Sequence, residues 1–246
     1  MLLALWLGSG QGVGPARAVR VQAVQGDDEP HDVVNGDGDR TTLDDAIDEW
    51  TRGPVELTAL VLAPGDAGAA PAAVSAAAIE AGECLLIRTT TRSVAAVPHV
   101  EQFGSAFEPG HLVTWRVTDV PDWRVAAHGR NGSIQDADRD LRQGLITVTE
   151  ALMRLDVARW QPDDADLVAA LRDGALPTWR LPDDLEGRRA RVLASAARLR
   201  AIVALATRDD GGAVSVWQAD QRSAALRDVD RMSRRAMAAA TTFPGA

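Results

Sequence analysis

Residues 133–155 read SIQDADRDLRQGLITVTEALMRL, and how this stretch folds decides the reading of the whole chain. Leu141, Leu145, Val148, Leu152 and Leu155 recur at spacings of four and three. At about 3.6 residues per turn, those positions fall on one helical face. Ser133 with Asp136 has the form of a capping box, with a shorter acid than usual. Gln161-Pro162 closes the segment, because proline has no N–H to give and crowds the preceding turn.

The same period continues downstream. Asp163–Asp173 predicts a short helix with Leu167, Val168 and Leu171 inward, stopped by Gly174. Pro182-Asp183-Asp184 opens a longer helix, with proline near the first turn and acids at the positive end of the dipole. Its stripe is Leu185, Val192, Ala196, Leu199 and Val203. After the tight Asp209-Asp210-Gly211-Gly212 connection, the last helix carries Val214, Ala225, Val229, Met232 and Ala236. Helices joined by short loops pack as antiparallel neighbours, so residues 132–246 are expected to form an antiparallel helical bundle. Such helices are marginal alone in water, and burial of their stripes must hold them, at about 0.8 kcal/mol per CH₂ group.

Upstream the period changes. Val55–Leu62 is rich in strand formers and ends at the Pro64-Gly65-Asp66 turn. Cys84–Arg88, Arg92–Val97 and His111–Val117 read as further strands, and Ala73–Ala81 as a helix closed by Gly82. Thr42 is placed to cap a helix from Leu43 to about Thr51, stopped by Gly53-Pro54. Gly8–Pro15 interrupts the element begun by Leu2–Leu7, and residues 16–25 fit a short helix or a strand. The fold class is therefore α+β. A small mixed α/β N-terminal part, residues 1–131, turns at Asn131-Gly132 into the bundle, residues 132–246.

Composition narrows the chemistry. With 246 residues, 46% hydrophobic and 25% charged, the chain can bury a core without covalent staples. The single cysteine, Cys84, excludes an internal disulfide framework and a Cys-only zinc site. All 26 basic residues are Arg, and there is no Lys or Tyr, so lysine Schiff bases, a P-loop lysine and tyrosine acid–base chemistry are excluded. No apolar run approaches the roughly 20 residues of a membrane span, and no basic residue precedes Leu2–Leu7 as in a signal peptide. The expected setting is the cytoplasm.

The net charge of −9 is unevenly spread. Residues 27–49 alone hold 10 acids against one Arg, Arg40, and read as a solvated acidic loop. Residues 187–208 hold six Arg and no acid. On helical wheels, Arg191 and Arg198 project away from one stripe, and Arg227, Arg231 and Arg234 away from the next. Guanidinium-rich faces bind carboxylates and phosphates in bidentate fashion. The plainer alternative is a solvated face with i,i+4 pairs such as Asp230 with Arg234. The acidic total argues against nucleic acid.

Other motifs are weaker. The glycines at 8, 10, 12 and 14 miss the dinucleotide-binding spacing, since Val13 and Pro15 stand where a third glycine is needed. Asn35-Gly36-Asp37-Gly38-Asp39 resembles the calcium loop of EF-hands and dockerins, with Asn35, Asp37 and Asp39 as candidate ligands. Val33 occupies the first ligand position and Asp44 the last, which weakens it. No metal and no cofactor are expected. Cys84 has no CxxC partner or flanking positive charge and reads as a buried structural thiol. Trp115 and Trp123 would stack on a ligand ring or plug a core.

Pro64-Gly65-Asp66, Ala78-Ile79-Glu80-Ala81-Gly82-Glu83, Leu155-Asp156-Val157-Ala158-Arg159-Trp160 and Asp209-Asp210-Gly211-Gly212-Ala213-Val214 together resemble a group of uncharacterised proteins from high-GC actinobacteria, over most of the chain. The resemblance implies a bacterial, cytoplasmic setting and carries no activity. Function is then expected to be non-enzymatic: an interaction or regulatory protein presenting an Arg-lined helical face to an acidic protein surface, its own segment 27–49 or a second copy. The alternative is an enzyme or small-ligand binder with a cleft between the two halves, using Asp66, Glu80 or Glu83 with His99, His111 or His128.

Overall fold

The computed structural model describes residues 1–9, 22–26, 30–105, 107–154, 180–207 and 216–245, the backbone alone at 9, 147–154, 205 and 216–219. The chain divides into two compact units. One comprises Met1–Asn131, Trp179–Leu185 and Thr241–Ala246, the other Gly132–Thr178 and Glu186–Ala240.

The first unit is built on a six-stranded sheet ordered β2-β1-β6-β5-β4-β3. Its strands are β1 (Asp32–Val34), β2 (Arg40–Thr42), β3 (Glu56–Val61), β4 (Glu83–Arg88), β5 (Ser93–Gly104) and β6 (Pro109–Asp119). Neighbours run antiparallel except β1 and β6, which are parallel. Helices α1 (Leu2–Ser9), α2 (Leu43–Trp50), α3 (Ser75–Ala81) and α4 (Arg124–Asn131) belong to this unit. Leu3, Ala4 and Leu7 of α1 and Leu43, Ala46, Ile47 and Trp50 of α2 share a core with Val33, Leu57, Ala59, Leu85, Ile87, Val94, Ala96, Val113, Trp115 and Val117. On β3, β4, β5 and β6 those core residues alternate, which is the period-two signature of one face.

The acidic segment does not form a loop. From residue 30 it builds β1, β2 and α2; residues 27–29 lie outside the described residues. Buried Leu43, Ala46, Ile47 and Trp50 recur at helical spacing, so the acids between them fall on the outer side of α2. Thr42 caps the helix, its Oγ1 accepting from the Asp45 N–H at 3.1 Å and its hydroxyl donating to the Asp45 carboxylate at 2.7 Å. Strands β1 and β2 are too short to announce themselves by alternation.

Strand β5 runs past Pro98, where the sequence suggests an end. Its ladder with β4 finishes at Ala96, so Pro98 pairs on one side only, opposite Trp115 of β6. A proline is tolerated where no second ladder asks for its missing N–H. The outer edge of β3 is closed by the tail. Leu57 and Phe243 exchange backbone hydrogen bonds at 3.0 and 2.8 Å, and Thr241 Oγ1 accepts from the Ala59 N–H and donates to the Ala59 carbonyl. Covering an edge in this way removes a template for pairing with another chain.

The second unit contains α5 (Ile134–Arg154), α6 (Gly187–Ala206) and α7 (Val216–Ala240), each packed on the other two. Ser133 Oγ accepts from the Asp136 N–H at 3.1 Å, as the capping pattern predicts, while its hydroxyl donates to the Asp136 carboxylate. The inward stripe of α5 differs from the predicted one. Ala137, Leu141 and Gly144 are buried, and Leu145 is 49% exposed. The terminal methyl of Met232 occupies the space a side chain at residue 144 would fill, so the glycine, not the leucine, faces the partner helix. The side chains of Val148 and Leu152, with Leu155, the 163–173 helix and Val214, lie outside the described residues.

Helix α6 begins five residues later than Pro182 suggests. Residues 180–185 belong to the first unit, where Arg180 donates to the carbonyls of Ala23 and Val24 and accepts from the Trp6 indole at 2.8 Å. Those contacts hold the segment out of the helix. The predicted α6 stripe of Val192, Ala196, Leu199 and Val203 is buried, but Leu185 belongs to the other unit. In α7, Leu226 is buried where Ala225 is only half-buried. No helix among the described residues is long and apolar enough to cross a membrane.

Candidate functional site

Register decides which side chains meet on the sheet face opposite the core. Val34 of β1 stands between Arg40 of β2 and Arg116 of β6. Residues opposite one another in a ladder share a face, so these three form one row. The next row is Thr42, Asp32, Thr114 and His99, and the third contains Leu112 and Glu101. The intervening Val33, Trp115 and Val117 point the other way, into the core. Trp115 is anchored there, its indole N–H donating to His31 Nδ1 at 3.2 Å.

Towards β4 and β5 the same face is buried, at Cys84, Leu86, Ala95 and Val97. Towards β1 and β2 it opens into a cleft of about 420 Å³, lined by Arg40, Arg116, His99, Glu101, Thr114 and Thr118. Asn35 and Gly36, in the turn between β1 and β2, form its rim. His99 Nε2 lies 3.2 Å from Glu101 Oε1. Arg40 lies 3.4 Å from the Asp32 carboxylate, and Arg116 has no ion-pair partner among the described residues.

The helical arginines separate into two groups. Arg191, Arg198, Arg227 and Arg231 are exposed on the outward sides of α6 and α7, Arg231 paired with Asp228 at 2.9 Å. Arg234 departs from the expected outward face, for it is only 6% exposed. It pairs with Asp230, which also receives Arg200 from α6 at 3.2 Å. The expected i,i+4 pair therefore forms within α7, but as a largely buried pair that Arg200 of α6 joins, rather than as part of a solvated face. Arg189 is likewise engaged, donating to the Ala240 carbonyl at 2.9 Å.

The acid–histidine set read from sequence does not converge. His99 lines the cleft, while His111 is opposite Gln102 on the other face of the β5–β6 ladder. The His128 Nδ1–H donates to the Arg124 carbonyl on α4. Asp66 pairs with Arg130, and Glu80 is exposed on α3. Glu83 accepts from the Met1 amine at 2.7 Å, whose charge holds its carboxyl below the ordinary value. The Asn35–Asp39 segment forms the hairpin turn between β1 and β2. Asn35 and Asp39 are tied through their backbones at 3.0 Å, Gly38 takes φ +93°, and the Asp37 carboxylate accepts from the Asp39 N–H. Among the described residues no three His, Cys, Asp or Glu side chains are grouped to hold a metal ion.

Trp115 and Trp123 are both core residues, Trp123 donating to the Ile87 carbonyl at 3.4 Å. Cys84 is buried, and burial, aided by the neighbouring Glu83 carboxylate, pushes its thiol up to about 12. A thiol held protonated is no nucleophile. The cleft residues Arg40, Arg116, Thr114 and Thr118 escape sequence reasoning. A signal exists for three of them: in Val113-Thr114-Trp115-Arg116-Val117-Thr118 the polar residues alternate with the core ones. Nothing local marks Arg40, which arrives only through the β1–β6 pairing.

Two family models match the chain: the N-terminal domain of the Rv1486c-like protein over residues 1–128 and its C-terminal domain over residues 135–238. No curated protein and no solved structure matches it.

Proposed function

We propose for this chain, which belongs to the Rv1486c-like protein family, that it is a non-enzymatic interaction protein whose C-terminal helices dock an acidic protein surface. In this reading α5, α6 and α7 form an antiparallel bundle in the cytoplasm, and the docking groups are Arg191, Arg198, Arg227 and Arg231. The observation that carries it is the sorting of arginines. Those needed inside the helical unit are buried or tied, as Arg234 and Arg200 are to Asp230, while Arg191, Arg198 and Arg227 are exposed on the helix surfaces, with Arg231 beside them, paired to Asp228 at 2.9 Å. Exposed guanidinium groups retain their donors for carboxylates of a partner. Three acids of the chain's own 27–49 segment are engaged locally, Asp32 with Arg40, Asp45 with Thr42 and Glu49 with Arg92, which favours a separate acidic surface as the partner.

The test uses polyglutamate as an acidic probe, with the full chain and a variant carrying Arg191→Glu, Arg198→Glu, Arg227→Glu and Arg231→Glu. Calorimetry should show binding that weakens as salt rises and vanishes in the variant. Sedimentation of the protein alone distinguishes a second copy as the acidic surface. Unchanged binding by the variant, or no dependence on salt, would overturn the reading. Duplex DNA captured more tightly than polyglutamate would overturn it as well.

A further inference from the structure

We infer that the open cleft on the β1–β6 face is a binding site for a small oxyanion-bearing molecule, held between Arg40 and Arg116. This goes beyond docking by the helices and does not depend on it. Register carries the argument. Both arginines stand directly beside Val34, one on each neighbouring strand, on the same face. Two strand spacings of about 4.8 Å set their Cα atoms about 10 Å apart. Two long guanidinium arms close that span on a group of carboxylate or phosphate size. Side by side on the sheet, their forks present several N–H donors to one ligand.

The surroundings suit the same chemistry. Thr114 and Thr118 flank Arg116 on its own strand and line the cleft, offering hydroxyl donors. The full charges in the lining are two guanidinium groups and one carboxylate, Glu101, in a protein whose net charge is −9. Glu101 is hydrogen-bonded to His99, which moderates its repulsion of an anion. Arg116, with no ion-pair partner among the described residues, is the primary anion contact, and Arg40 turns to the ligand from Asp32. A volume of about 420 Å³ admits a molecule of metabolite size, not a polymer. Polymer phosphates are further disfavoured by the acids of the adjoining turn, Asp37 and Asp39.

Carboxylates and phosphate monoesters share this chemistry, and the experiment separates them. Inorganic phosphate, glycerol phosphate and malonate are titrated into the full chain while backbone amide resonances are followed. Saturable shifts at Asn35, Gly36 and Thr114 to Thr118 are expected with at least one probe, and the tighter of glycerol phosphate and malonate identifies the source. Arg116→Gln and Arg40→Gln should each weaken that binding by at least about tenfold, the scale of one lost bidentate pair. Arg116→Lys should recover only part of it, because an ammonium keeps the charge and loses the fork. Arg52→Gln, at an exposed arginine outside the cleft lining, should bind as the unaltered protein does. Both cleft arginines are exposed, so the variants keep the fold, and an unchanged amide spectrum away from the cleft checks this. Absence of saturable shifts with all three probes would overturn the inference. So would unaltered binding by Arg116→Gln.

Discussion

Arg40 and Arg116 each stand one strand from Val34, on its two sides, whereas Arg191 and Arg198 lie two turns apart along α6. Ladder hydrogen bonds lock the first pair side by side, on strands that sequence separates widely. The second pair is set by the helical repeat alone, and its guanidinium groups fan into solvent. The sheet thus assembles polar groups from distant segments into a concavity, while the helices array them along convex surfaces. A concave array suits a small ligand, and a convex one suits a broad partner surface.

The contrast can be broken most forcefully at the core beneath the cleft. Trp115→Ala should cost about 3–5 kcal/mol in denaturant unfolding, the usual range for an aromatic core truncation. It should also blur the row formed by Arg40, Val34 and Arg116. In the helical unit the corresponding test is Arg234→Ala. Removing the buried partner of Asp230 should cost about 2–3 kcal/mol, less than a fully orphaned buried charge because Arg200 still reaches Asp230. If Arg234→Ala were as harmless as a surface change, the division of the helical arginines into tied and outward groups would fail. Thr241→Val comes next. It strips two hydrogen bonds from Ala59 at the edge of β3, for an expected loss of about 1–3 kcal/mol. Smallest of all, Arg191→Ala should shift stability by no more than about 0.5 kcal/mol while weakening capture of an acidic probe.

A pH titration sharpens the contrast from another side. The Cys84 thiol is raised from 9.0 to about 12 in the folded chain. Above 9.0 the unfolded chain gives up this proton while the folded one retains it, so stability should fall as pH climbs through that window. With no Lys and no Tyr in the chain, Cys84 is the only side chain whose ordinary titration lies there. Cys84→Ala should flatten the alkaline slope. A slope of equal size in that variant would mean that the thiol is not the cause.

Much of the fold is legible in local chemistry. Strands β3, β4 and β6 show as runs of strand formers bounded by Pro and Gly, and α2 and α5 show through their caps at Thr42 and Ser133. What escapes is set by partners far along the chain. Pro98 ends a strand on local rules but not where one ladder has already stopped. Leu145 completes a leucine stripe, yet Gly144 is the inward residue because Met232 needs its space. The cleft is the clearest case. Thr114, Arg116 and Thr118 form a polar face readable from alternation, but only parallel pairing of β1 with β6 brings Arg40 and the Asn35-Gly36 turn to meet them. The acidic stretch misleads because net charge says nothing about which side of a helix stays dry, and Ile47 and Trp50 decide that.

The short tail that seals β3 has a bearing on biosynthesis. Phe243 reaches its place only after α5, α6 and α7 of the other unit have been made. Until then a ribosome-bound chain carries the rest of the sheet with one flank unsealed, and neighbouring nascent copies could pair there. The interval between synthesis of β6 and arrival of the tail is therefore the stretch of its making in which a chaperone would matter most.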